Sequence, residues 1–423
     1  MNATAFYPLF LESSSVTIDS RTVQQGSVFF AFSGENFNAA EKAQEAIANG
    51  AMAVIVEREE FSDPKQHIYF VPYTLQFLQD LARHHRAQLS IPVIGLTGSN
   101  GKTTTKELMH AVLSRKFNVQ YTKGNLNNHI GVPLTILSIR RQHEMAVVEM
   151  GANHQGEIAF LSGLARPTIG YITNFGKAHL EGFGGYEGVI KGKSELYDHL
   201  KENQQTLLIN NDDSLQQEKA GEYADTISFG TAAGNYIFEP VSQPPFVGLN
   251  YNNETAVSQL TGKYNFTNMA AAAALGLHFG IAFPEIKAAL EQYTPTNMRS
   301  QLLKKNDATW VLDTYNANPS SMREALQNFS QFKGSKTVII GDMLELGTEA
   351  ETEHQQILVF AQELRFESMF TVGKHFGNSH GATKHFDTVT ELGNYLKKHP
   401  LTAENVLVKG SRGIALEKIL DLV

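Results

Sequence analysis

The sequence predicts an α/β protein of three domains: a small α/β amino-terminal domain, a central P-loop ATPase-type parallel-sheet domain and a carboxy-terminal Rossmann-like domain. Its 423 residues are too many for one hydrophobic core, since domains usually hold about 100–200 residues. Short apolar strands alternate with amphipathic helices along most of the chain, which is typical of parallel sheets with crossover helices. A Gly-Lys-Thr triplet also stands between one of these strands and the helix that follows it.

Composition and charge exclude several classes of protein. Hydrophobic residues make up 42% and charged residues 18% of the chain, as in ordinary globular proteins. The net charge of -8 argues against a nucleic-acid or anionic-membrane partner, and the lack of cysteine excludes disulfides and thiolate metal sites. No signal-like leader opens the chain, and no apolar run approaches the ~20 residues that span a bilayer. We therefore expect a soluble cytoplasmic protein with no nucleic-acid partner and no membrane insertion.

Residues 1–88 form the predicted amino-terminal domain. Apolar stretches at 27–32 and 51–57 predict two strands, with a helical pattern across 39–49 between them and a helix at 74–88 after them. Pro92 ends a short linker at 88–92 that leads into the next domain.

Residues 89–296 form the predicted central domain, which opens with a strand at 93–96. The helix that begins near Lys102 repeats apolar residues at i, i+4 spacing, so one of its faces can pack on a sheet. Further strands are predicted at 145–150, 169–175 and 206–210. The short β-like pieces within 228–262 predict a small accessory sheet.

Residues 297–423 form the predicted carboxy-terminal domain, where strands and helices again alternate. The predicted strands are "TWVLD", "TVIIGD", "MFTVG" and "NVLVKG", and the helices are "SMREALQNFSQF", 350–365, "VTELGNYLKKH" and a final helix. This order predicts a doubly wound sheet. The region lacks a Gly-x-Gly-x-x-Gly turn, so a dinucleotide is not its expected ligand.

The stretch "TGSNGKTT" at 97–104 predicts a phosphate-binding loop of unusual spacing. The common Walker pattern needs a glycine where this chain has Leu96. Glycines allow backbone N–H groups to surround phosphate oxygens, and the following helix N-terminus favours an anion. Lys102 would reach the β- and γ-phosphates, and the Thr103 hydroxyl would bind Mg²⁺. The alternative is a plain strand-to-helix turn, but the position between a strand and an amphipathic helix favours the nucleotide.

Polar side chains also follow two other predicted strands of the central domain. Glu149 closes the second strand, and Asn174 and His179 follow the third. Ligands of parallel sheets gather at the carboxyl ends of strands, so Glu149 is a candidate Mg²⁺ ligand. Taken alone, it would be a solvated strand-end glutamate, and His179 would be a hydrogen-bonded loop residue.

Two lysines in "GVIKGKSELYDHL" (188–200) are predicted to have different environments. Lys193 shares the apolar helical face of Val189, Leu196, Tyr197 and Leu200 and is therefore predicted to point inward. Lys191 lies off that face, with Glu187 and Glu195 each four residues away, and is predicted to be solvated. An inward lysine is costly unless it is paired, neutral or modified, which singles out Lys193.

Together these residues resemble the Mur ligases, ATP-dependent amide-bond-forming enzymes of bacterial cell-wall synthesis, whose phosphate loop has the form T-G-x-x-G-K-T. The resemblance covers essentially the whole chain, in the order of the family. It rests on the stretches "DSR" (19–21), "GNLNNHIGVPLT" (124–135), "EMGANHQGEI" (149–158), "NFGKAHLEGFGG" (174–185), "DTYNANPSSM" (313–322), "GDMLELG" (341–347) and "VKGSRG" (408–413). "YNANP" and "EMGANHQGEI" point to the member of the family that adds D-alanyl-D-alanine to UDP-MurNAc-tripeptide.

The resemblance implies roles for individual residues. Catalytic roles fall to Lys102, Glu149, His179 and Lys193, and metal ligation to Thr103, Glu149, His179 and Lys193, the last as an N-carboxylated lysine. ATP binding is implied for Gly98, Ser99, Asn100, Gly101, Lys102, Thr103, Thr104, Asn268, Arg299, Asp313 and Asn316. Ser20 and Arg21 would hold the UDP end, and Asn127 and Asn128 would lie near the muramyl-peptide.

The implied cofactors are ATP and Mg²⁺, the implied partners are UDP-MurNAc-tripeptide and D-Ala-D-Ala, and the implied state is a monomer. "GDMLELG" and "VKGSRG" are candidates for holding the dipeptide, although the latter fits a plain helix start equally well. Two alternatives remain: another ligase of this type that adds a single amino acid, or a P-loop nucleotide-binding switch without ligase activity. A switch has no use for an inward lysine beside the metal ligands, and a paralogue that has lost activity would not keep every chemical position filled.

Overall fold

The computed structural model describes residues 1–34, 37–296, 298–379 and 384–423. Its amino-terminal part is a four-stranded parallel sheet of order β1-β2-β5-β6 with helices against it. The elements are α1 Ala3–Glu12, β1 Ser15–Thr17, β2 Ser27–Ala31, β3 Ser33–Gly34, β4 Phe37–Asn38, α2 Ala43–Ala48, β5 Ala53–Val56, β6 Ile68–Phe70 and α3 Thr74–Ala87. The predicted strands and helices are present; the sequence did not predict α1, β1, β3, β4 or β6.

Helix α1 begins where the Asn2 side chain accepts a hydrogen bond from Ala5 N at 2.9 Å. Its buried face carries Phe6 and Phe10, and Phe6 packs edge-on against Phe77 of α3 with ring centroids 5.7 Å apart. This packing covers the sheet on one side and stabilises the small domain.

The central part contains a seven-stranded parallel sheet of order β13-β12-β11-β10-β7-β9-β8. Its strands are β7 Val93–Thr97, β8 Val119–Tyr121, β9 Met145–Glu149, β10 Ile169–Ile172, β11 Thr206–Asn210, β12 Thr226–Gly230 and β13 Tyr236–Ile237. The connecting helices are α4 Lys102–Leu113, α5 Gly131–Leu137, α6 Glu157–Ala165, α7 Leu180–Phe183, α8 Tyr186–Glu202 and α9 Ser214–Ala220. All residues of β7, β9 and β10 are buried, as expected for strands covered by helices on both faces.

The predicted accessory sheet is an antiparallel meander of β14 Glu239–Gln243, β15 Phe246–Tyr251 and β16 Glu254–Thr261. It shares a hydrophobic core with α4 and with helices α10 Tyr264–His278 and α11 Phe283–Gln292. The predicted range began too early, because β12 and β13 pair with the central sheet instead.

The carboxy-terminal part is a six-stranded sheet of order β17-β18-β22-β19-β20-β21, in which only the edge strand β17 runs antiparallel. Its strands are β17 Gln301–Lys305, β18 Ala308–Asp313, β19 Lys336–Gly341, β20 Ser368–Val372, β21 Lys384–Phe386 and β22 Asn405–Lys409. Its helices are α12 Pro319–Ser330, α13 Ala350–Glu363, α14 Lys374–Gly377, α15 Val389–Lys398 and α16 Ile419–Leu422. The predicted final helix is shorter than expected: two 3₁₀ turns precede the four residues of α16.

Hydrogen bonds between the three parts place their sheets around one cleft. Arg86 Nε of α3 donates to Ala165 O at 2.7 Å, which joins the amino-terminal part to the central sheet. Asn318 Nδ2 donates to Asn100 Oδ1 at 2.7 Å, which joins the carboxy-terminal part to the predicted phosphate loop.

The boundaries 1–88, 89–296 and 297–423 stay predictions, and Asn297 lies outside the described residues. In the described part of the chain, none of the helices has the length and apolar character that crossing a membrane requires.

Candidate active site

The predicted phosphate loop leaves β7 at Thr97 and enters α4 at Lys102. Gly98 has φ +139°, and a Cβ there would lie 2.0 Å from Thr173 Oγ1 and 2.9 Å from the Thr173 backbone nitrogen. Gly101 has φ +80° at the position just before the helix. Both glycines are therefore required by the turn itself, since L side chains rarely adopt these backbone conformations.

The loop is held by the strand end beside it, which carries Asn174. Ser99 N donates to Asn174 O and Asn100 N donates to Asn174 Oδ1, both at 3.0 Å. Asn268, on α10, accepts a hydrogen bond from Thr105 Oγ1 at 3.0 Å. The loop is thus preorganised on both sides before any ligand binds.

Lys102 folds back over the loop that precedes it. Its Nζ donates to Gly98 O at 2.7 Å and to Ser99 O at 3.1 Å. Burial lowers the pKa of Lys102 to about 8; Glu149 opposes this shift and Arg299 adds to it. An anionic phosphate beside the ammonium would reverse the effect, because an opposite charge favours the charged form.

Glu149 ends β9 beneath the loop and is 1% exposed. Its Oε1 accepts hydrogen bonds from Thr103 Oγ1 at 3.1 Å and from Asn127 Nδ2 at 2.8 Å. Its Oε2 is buried and accepts no hydrogen bond from the described residues. The structure therefore brings together two predicted metal ligands, Thr103 and Glu149, and one predicted substrate residue.

These oxygens fit a magnesium ion. Mg²⁺ prefers carboxylate and hydroxyl oxygens and keeps several waters, so one carboxylate and one hydroxyl beside the phosphates are a typical protein share. The free Oε2 of Glu149 is an acceptor that such a cation would satisfy. Among the residues that the structure describes, no group of three or more His, Asp or Glu side chains could hold a metal without further ligands.

Lys106 is a charged residue at this site that the sequence did not single out. It is fully buried, and its Nζ lies 3.6 Å from Glu149 Oε2. The available signal was its spacing, since it follows Thr103 by three positions and Lys102 by four on the same helix.

Lys193 is 1% exposed whereas Lys191 is exposed, which confirms the prediction from the helical face. The Lys193 Nζ donates to Ala152 O at 3.2 Å and lies 4.9 Å from the centre of the Phe183 ring. Burial lowers the pKa of Lys193 well below its usual value, and the charge of Lys102 adds to this. An amine in this state is nucleophilic, as carbamate formation with CO₂ requires; N-carboxylation and metal binding stay predictions.

His179 contacts the carboxy-terminal part of the molecule rather than another predicted ligand. Its Nδ1 is hydrogen-bonded to Glu345 Oε2, and this bond lowers the pKa of Glu345. Glu345 belongs to the "GDMLELG" stretch, so that stretch faces the central domain. Because metal-bound histidines usually donate their other ring N–H to a carboxylate, the pair is compatible with the predicted ligand role.

The carboxy-terminal domain adds a second set of polar groups to the cleft. Arg299 lies over the Tyr315 ring, with its guanidinium carbon 3.7 Å from the ring centre. Asp313 accepts from Lys409 Nζ at 2.6 Å, and Asn316 O accepts from the same ammonium at 3.3 Å. Lys409, from "VKGSRG", was not predicted as a site residue; that stretch starts a 3₁₀ turn of three residues rather than an α-helix.

One cleft of about 600 Å³ joins these groups. The predicted residues that line it are Ser99, Asn100, Gly101, Lys102, Thr104, Asn127, Asn128, Glu149, His179, Asn268, Arg299, Asp313 and Asn316. Gly98, Thr103 and Lys193 are not among the lining residues, but each contacts one that is.

The two residues predicted to hold UDP are not part of this cleft. Ser20 and Arg21 lie in a 3₁₀ turn of the amino-terminal domain, where the Arg21 side chain is 87% exposed and pairs with Asp19 at 2.7 Å. Asn128 lines the cleft, and its Oδ1 accepts from Ile130 N and Gly131 N at the start of α5.

Three family models match the chain in succession. They are the Mur ligase family catalytic domain at residues 12–86, the Mur ligase middle domain at 96–276 and the Mur ligase glutamate ligase domain at 298–412. The chain belongs to the Mur ligase family. This Mur ligase is 36% identical to the UDP-N-acetylmuramoyl-tripeptide–D-alanyl-D-alanine ligase of Bacillus subtilis, over 96% of the chain and 93% of the relative. It is also 36% identical to the Escherichia coli ligase of the same name, over 96% and 92% of the two chains.

Solved structures of MurF superpose on the whole Mur ligase chain. A MurF crystal structure from Acinetobacter baumannii has a TM-score of 0.85 and 32% identity, covering 100% of this chain and 98% of that one. MurF from Thermotoga maritima, solved in complex with ADP, has a TM-score of 0.83 and 27% identity, covering 98% and 97%. The predicted α/β fold with a central parallel-sheet domain is thereby confirmed.

Proposed function

We propose that this Mur ligase joins D-alanyl-D-alanine to UDP-MurNAc-tripeptide with the hydrolysis of ATP to ADP and phosphate, giving UDP-MurNAc-pentapeptide for peptidoglycan. The observation that carries the proposal is that Lys102 and Glu149, the latter hydrogen-bonded to Thr103, line a cleft that the carboxy-terminal domain completes. The relatives that match nearly the whole chain bear the name of this activity, and one neighbour was solved with ADP.

The reaction proceeds in two steps. A terminal carboxylate oxygen of the tripeptide attacks the γ-phosphorus of ATP, and the bond to the β–γ bridging oxygen breaks, giving an acyl phosphate and ADP. The amine of D-Ala-D-Ala then attacks the acyl carbon. Phosphate leaves with the bonding electron pair, and the nitrogen loses a proton as the amide forms.

The residues of the cleft serve mainly to position and neutralise these groups, which is what phosphoryl transfer requires. The backbone N–H groups at the start of α4 would bind the phosphates, and Lys102 and Arg299, which line the cleft, would supply positive charge. Asn127, which donates a hydrogen bond to Glu149, would lie near the muramyl-peptide. Thr103 and Glu149 would hold Mg²⁺, which supplies further charge neutralisation on the transferring phosphoryl group.

Exclusion of water protects the acyl phosphate from hydrolysis. The carboxy-terminal domain closes one side of the cleft through two contacts. Its Asn318 donates a hydrogen bond to Asn100, and its Glu353 Oε1 accepts one from Lys177 Nζ at 2.6 Å. The segments 88–92 and 293–299 are the predicted hinges for this closure. A carbamate on Lys193, a cytoplasmic location and a monomeric state complete the proposal.

The test mixes the purified protein with ATP, Mg²⁺, D-Ala-D-Ala and UDP-MurNAc-tripeptide and follows phosphate release while each component is omitted in turn. We expect release only when both peptide substrates are present, with UDP-MurNAc-pentapeptide identified by mass. Release with a single amino acid in place of the dipeptide would instead assign the chain to another ligase of the family. Release without any acceptor would favour a nucleotide-binding switch.

A further inference from the structure

Lys106 lies within the hydrophobic layer beneath the phosphate loop, where a lysine is uncommon. Its side chain is 0% exposed. The ammonium Nζ donates to Gly124 O at 3.2 Å and lies 3.6 Å from Glu149 Oε2 and 3.8 Å from Glu107 Oε1. These three groups belong to its own helix, to the end of β9 and to the segment that follows β8, and the ammonium also lies 5.6 Å from the centre of the Tyr121 ring.

The two oxygens of Glu149 have different surroundings. Oε1 accepts two hydrogen bonds, from Thr103 and Asn127, whereas Oε2 accepts none from the described residues. Lys106 is the cation 3.6 Å from that second oxygen. The nearby Lys102 directs its hydrogen bonds to Gly98 O and Ser99 O instead. A buried carboxylate without a counter-charge is strongly unfavourable, so loss of Lys106 would destabilise the protein around Glu149.

We propose that Lys106 is a positioning residue: its ammonium is the internal counter-charge that holds Glu149 at the phosphate loop before Mg²⁺ and nucleotide bind. The same ammonium, through Gly124 O, ties the segment that carries Asn127 to this point. When a metal binds Glu149, it adds to the neutralisation that Lys106 provides at Oε2. The role of Glu149 as a metal ligand rests on the proposed function, whereas the ion pair between Lys106 and Glu149 can be tested without metal or substrate.

A double-mutant cycle in EDTA tests the ion pair, using Lys106→Met, Glu149→Gln and the double variant. Lys106→Met leaves Glu149 buried without its partner, and we expect the Tm to fall by on the order of 5 °C. The same replacement in the Glu149→Gln background should lower the Tm much less, because no charge is then left unpaired. Equal losses in both backgrounds would overturn the proposal. If Lys106→Met does not fold, a folded double variant supports the ion pair, and failure of both refutes it.

The matched control is Lys123→Met. Lys123 contacts the same aromatic ring as Lys106, with its Nζ 3.8 Å from the centre of Tyr121, but it is exposed. Its replacement should leave the Tm near that of the wild type and show no coupling to Glu149→Gln. Coupling of the same size as for Lys106 would mean that the effect is not specific to the buried pair, which also contradicts the proposal.

Calorimetric titration with ADP, in Mg²⁺ and then in EDTA, gives a second readout that needs no turnover. In Lys106→Met, the gain in ADP affinity from Mg²⁺ should exceed the wild-type gain by about tenfold, because the metal then replaces the counter-charge lost beside Glu149 Oε2. An equal or smaller gain would refute competition between Lys106 and the metal. Neither experiment uses the peptide substrates, so the ligase proposal can fail in the product assay without affecting this result, and the reverse also holds.

Discussion

At the scale of single residues, the main feature of the site is a set of ionisable side chains that are shielded from solvent. Lys102, Lys106 and Lys193 are all buried or enclosed close to the phosphate loop. Burial lowers the pKa of Lys193 and of Lys102, and the charge of Lys102 adds to the effect on Lys193. Buried ammonium groups of this kind are suited to anionic phosphates, since these supply a counter-charge.

The prediction most exposed to failure concerns Lys193. Lys193→Ala should lower kcat at least ~100-fold, because the carbamate that would serve as a metal ligand cannot form. A short carboxylic acid such as acetate should restore part of the activity by occupying the vacated space. Steady-state kinetics with and without acetate measures both effects, and a thermal melt verifies that the variant is folded.

Lys191→Ala is the control, because Lys191 lies on the same helix but is exposed. It should leave kcat and KM close to the wild-type values. Similar losses in the two variants would contradict the distinction between the helix faces, and so would a fully active Lys193→Ala enzyme.

At the scale of elements, the strand-loop-helix unit β7–α4 is determined by local sequence. Gly98 and Gly101 supply backbone conformations that other residues rarely adopt, and Lys102 follows them at the first helical position. The elements beside this unit complete it: the end of β10 leads to Asn174, the end of β9 carries Glu149, and α10 carries Asn268. The loop is predicted to contact the phosphates, and these neighbours fix its shape.

Gly98→Ala tests whether the loop shape governs nucleotide binding. The new Cβ would collide with Thr173, including its backbone nitrogen at 2.9 Å, so the loop must move. We expect ADP binding to weaken by about 1–3 kcal/mol, the usual range for backbone strain at such a site. Calorimetric titration of ADP measures the change.

Gly163→Ala is the matched control for this substitution. Gly163 lies in α6, and a Cβ there would have nothing within 4 Å. Alanine should slightly stabilise the helix and leave the Kd for ADP unchanged. An unchanged Kd in Gly98→Ala would show that the loop tolerates a side chain and that its glycine is not required for binding.

At the scale of the whole molecule, contacts between domains shape the cleft. His85 of α3 lies between the amino-terminal and central domains, where its Nε2 is 2.8 Å from Ile139 O and its Nδ1 is 3.0 Å from Tyr7 Oη. On the other side, His179 and Lys177 contact Glu345 and Glu353 of the carboxy-terminal domain. A ligand that binds in the cleft between the domains stabilises the arrangement of domains to which it binds best.

The buried His85 predicts how stability depends on pH. Burial lowers the pKa of His85 to about 4, below the ordinary value of 6.5, with nearby Arg140 adding to the effect. Between these values the unfolded chain binds more protons than the folded one, so this stabilisation is complete above pH 6.5 and falls as the pH drops towards 4. The loss should reach at most about 1.4 kcal/mol per pH unit.

Denaturation curves between neutral pH and pH 4.5 measure this loss in the wild type and in His85→Gln, whose amide can keep a donor but does not titrate. We expect the variant to have a shallower pH dependence. His67→Gln, which removes an exposed histidine of the same domain, should keep the wild-type slope. Identical slopes in the wild type and His85→Gln would mean that His85 is not the group responsible.

The sequence by itself determined the features that depend on short-range spacing. The strand-glycine-lysine order predicted the phosphate loop, and the helical period placed Lys193 inside and Lys191 outside, because both patterns depend on residues within a few positions of each other. The same local patterns predicted the main strands and helices of all three parts, although not α1, β1, β3, β4 or β6.

Only the tertiary structure decided which distant groups meet. Thr103 and Glu149 are 46 positions apart, and His179 and Glu345 are 166 apart, so no local pattern could pair them. Nothing in the sequence around Lys106 indicates that the carboxylate of Glu149, at the end of β9, lies beside it. Local periodicity indicates which side of a helix or strand faces the core. The strand order and the packing of the domains determine which distant side chains lie opposite that side. The balance of charges in the site therefore depends on the tertiary structure.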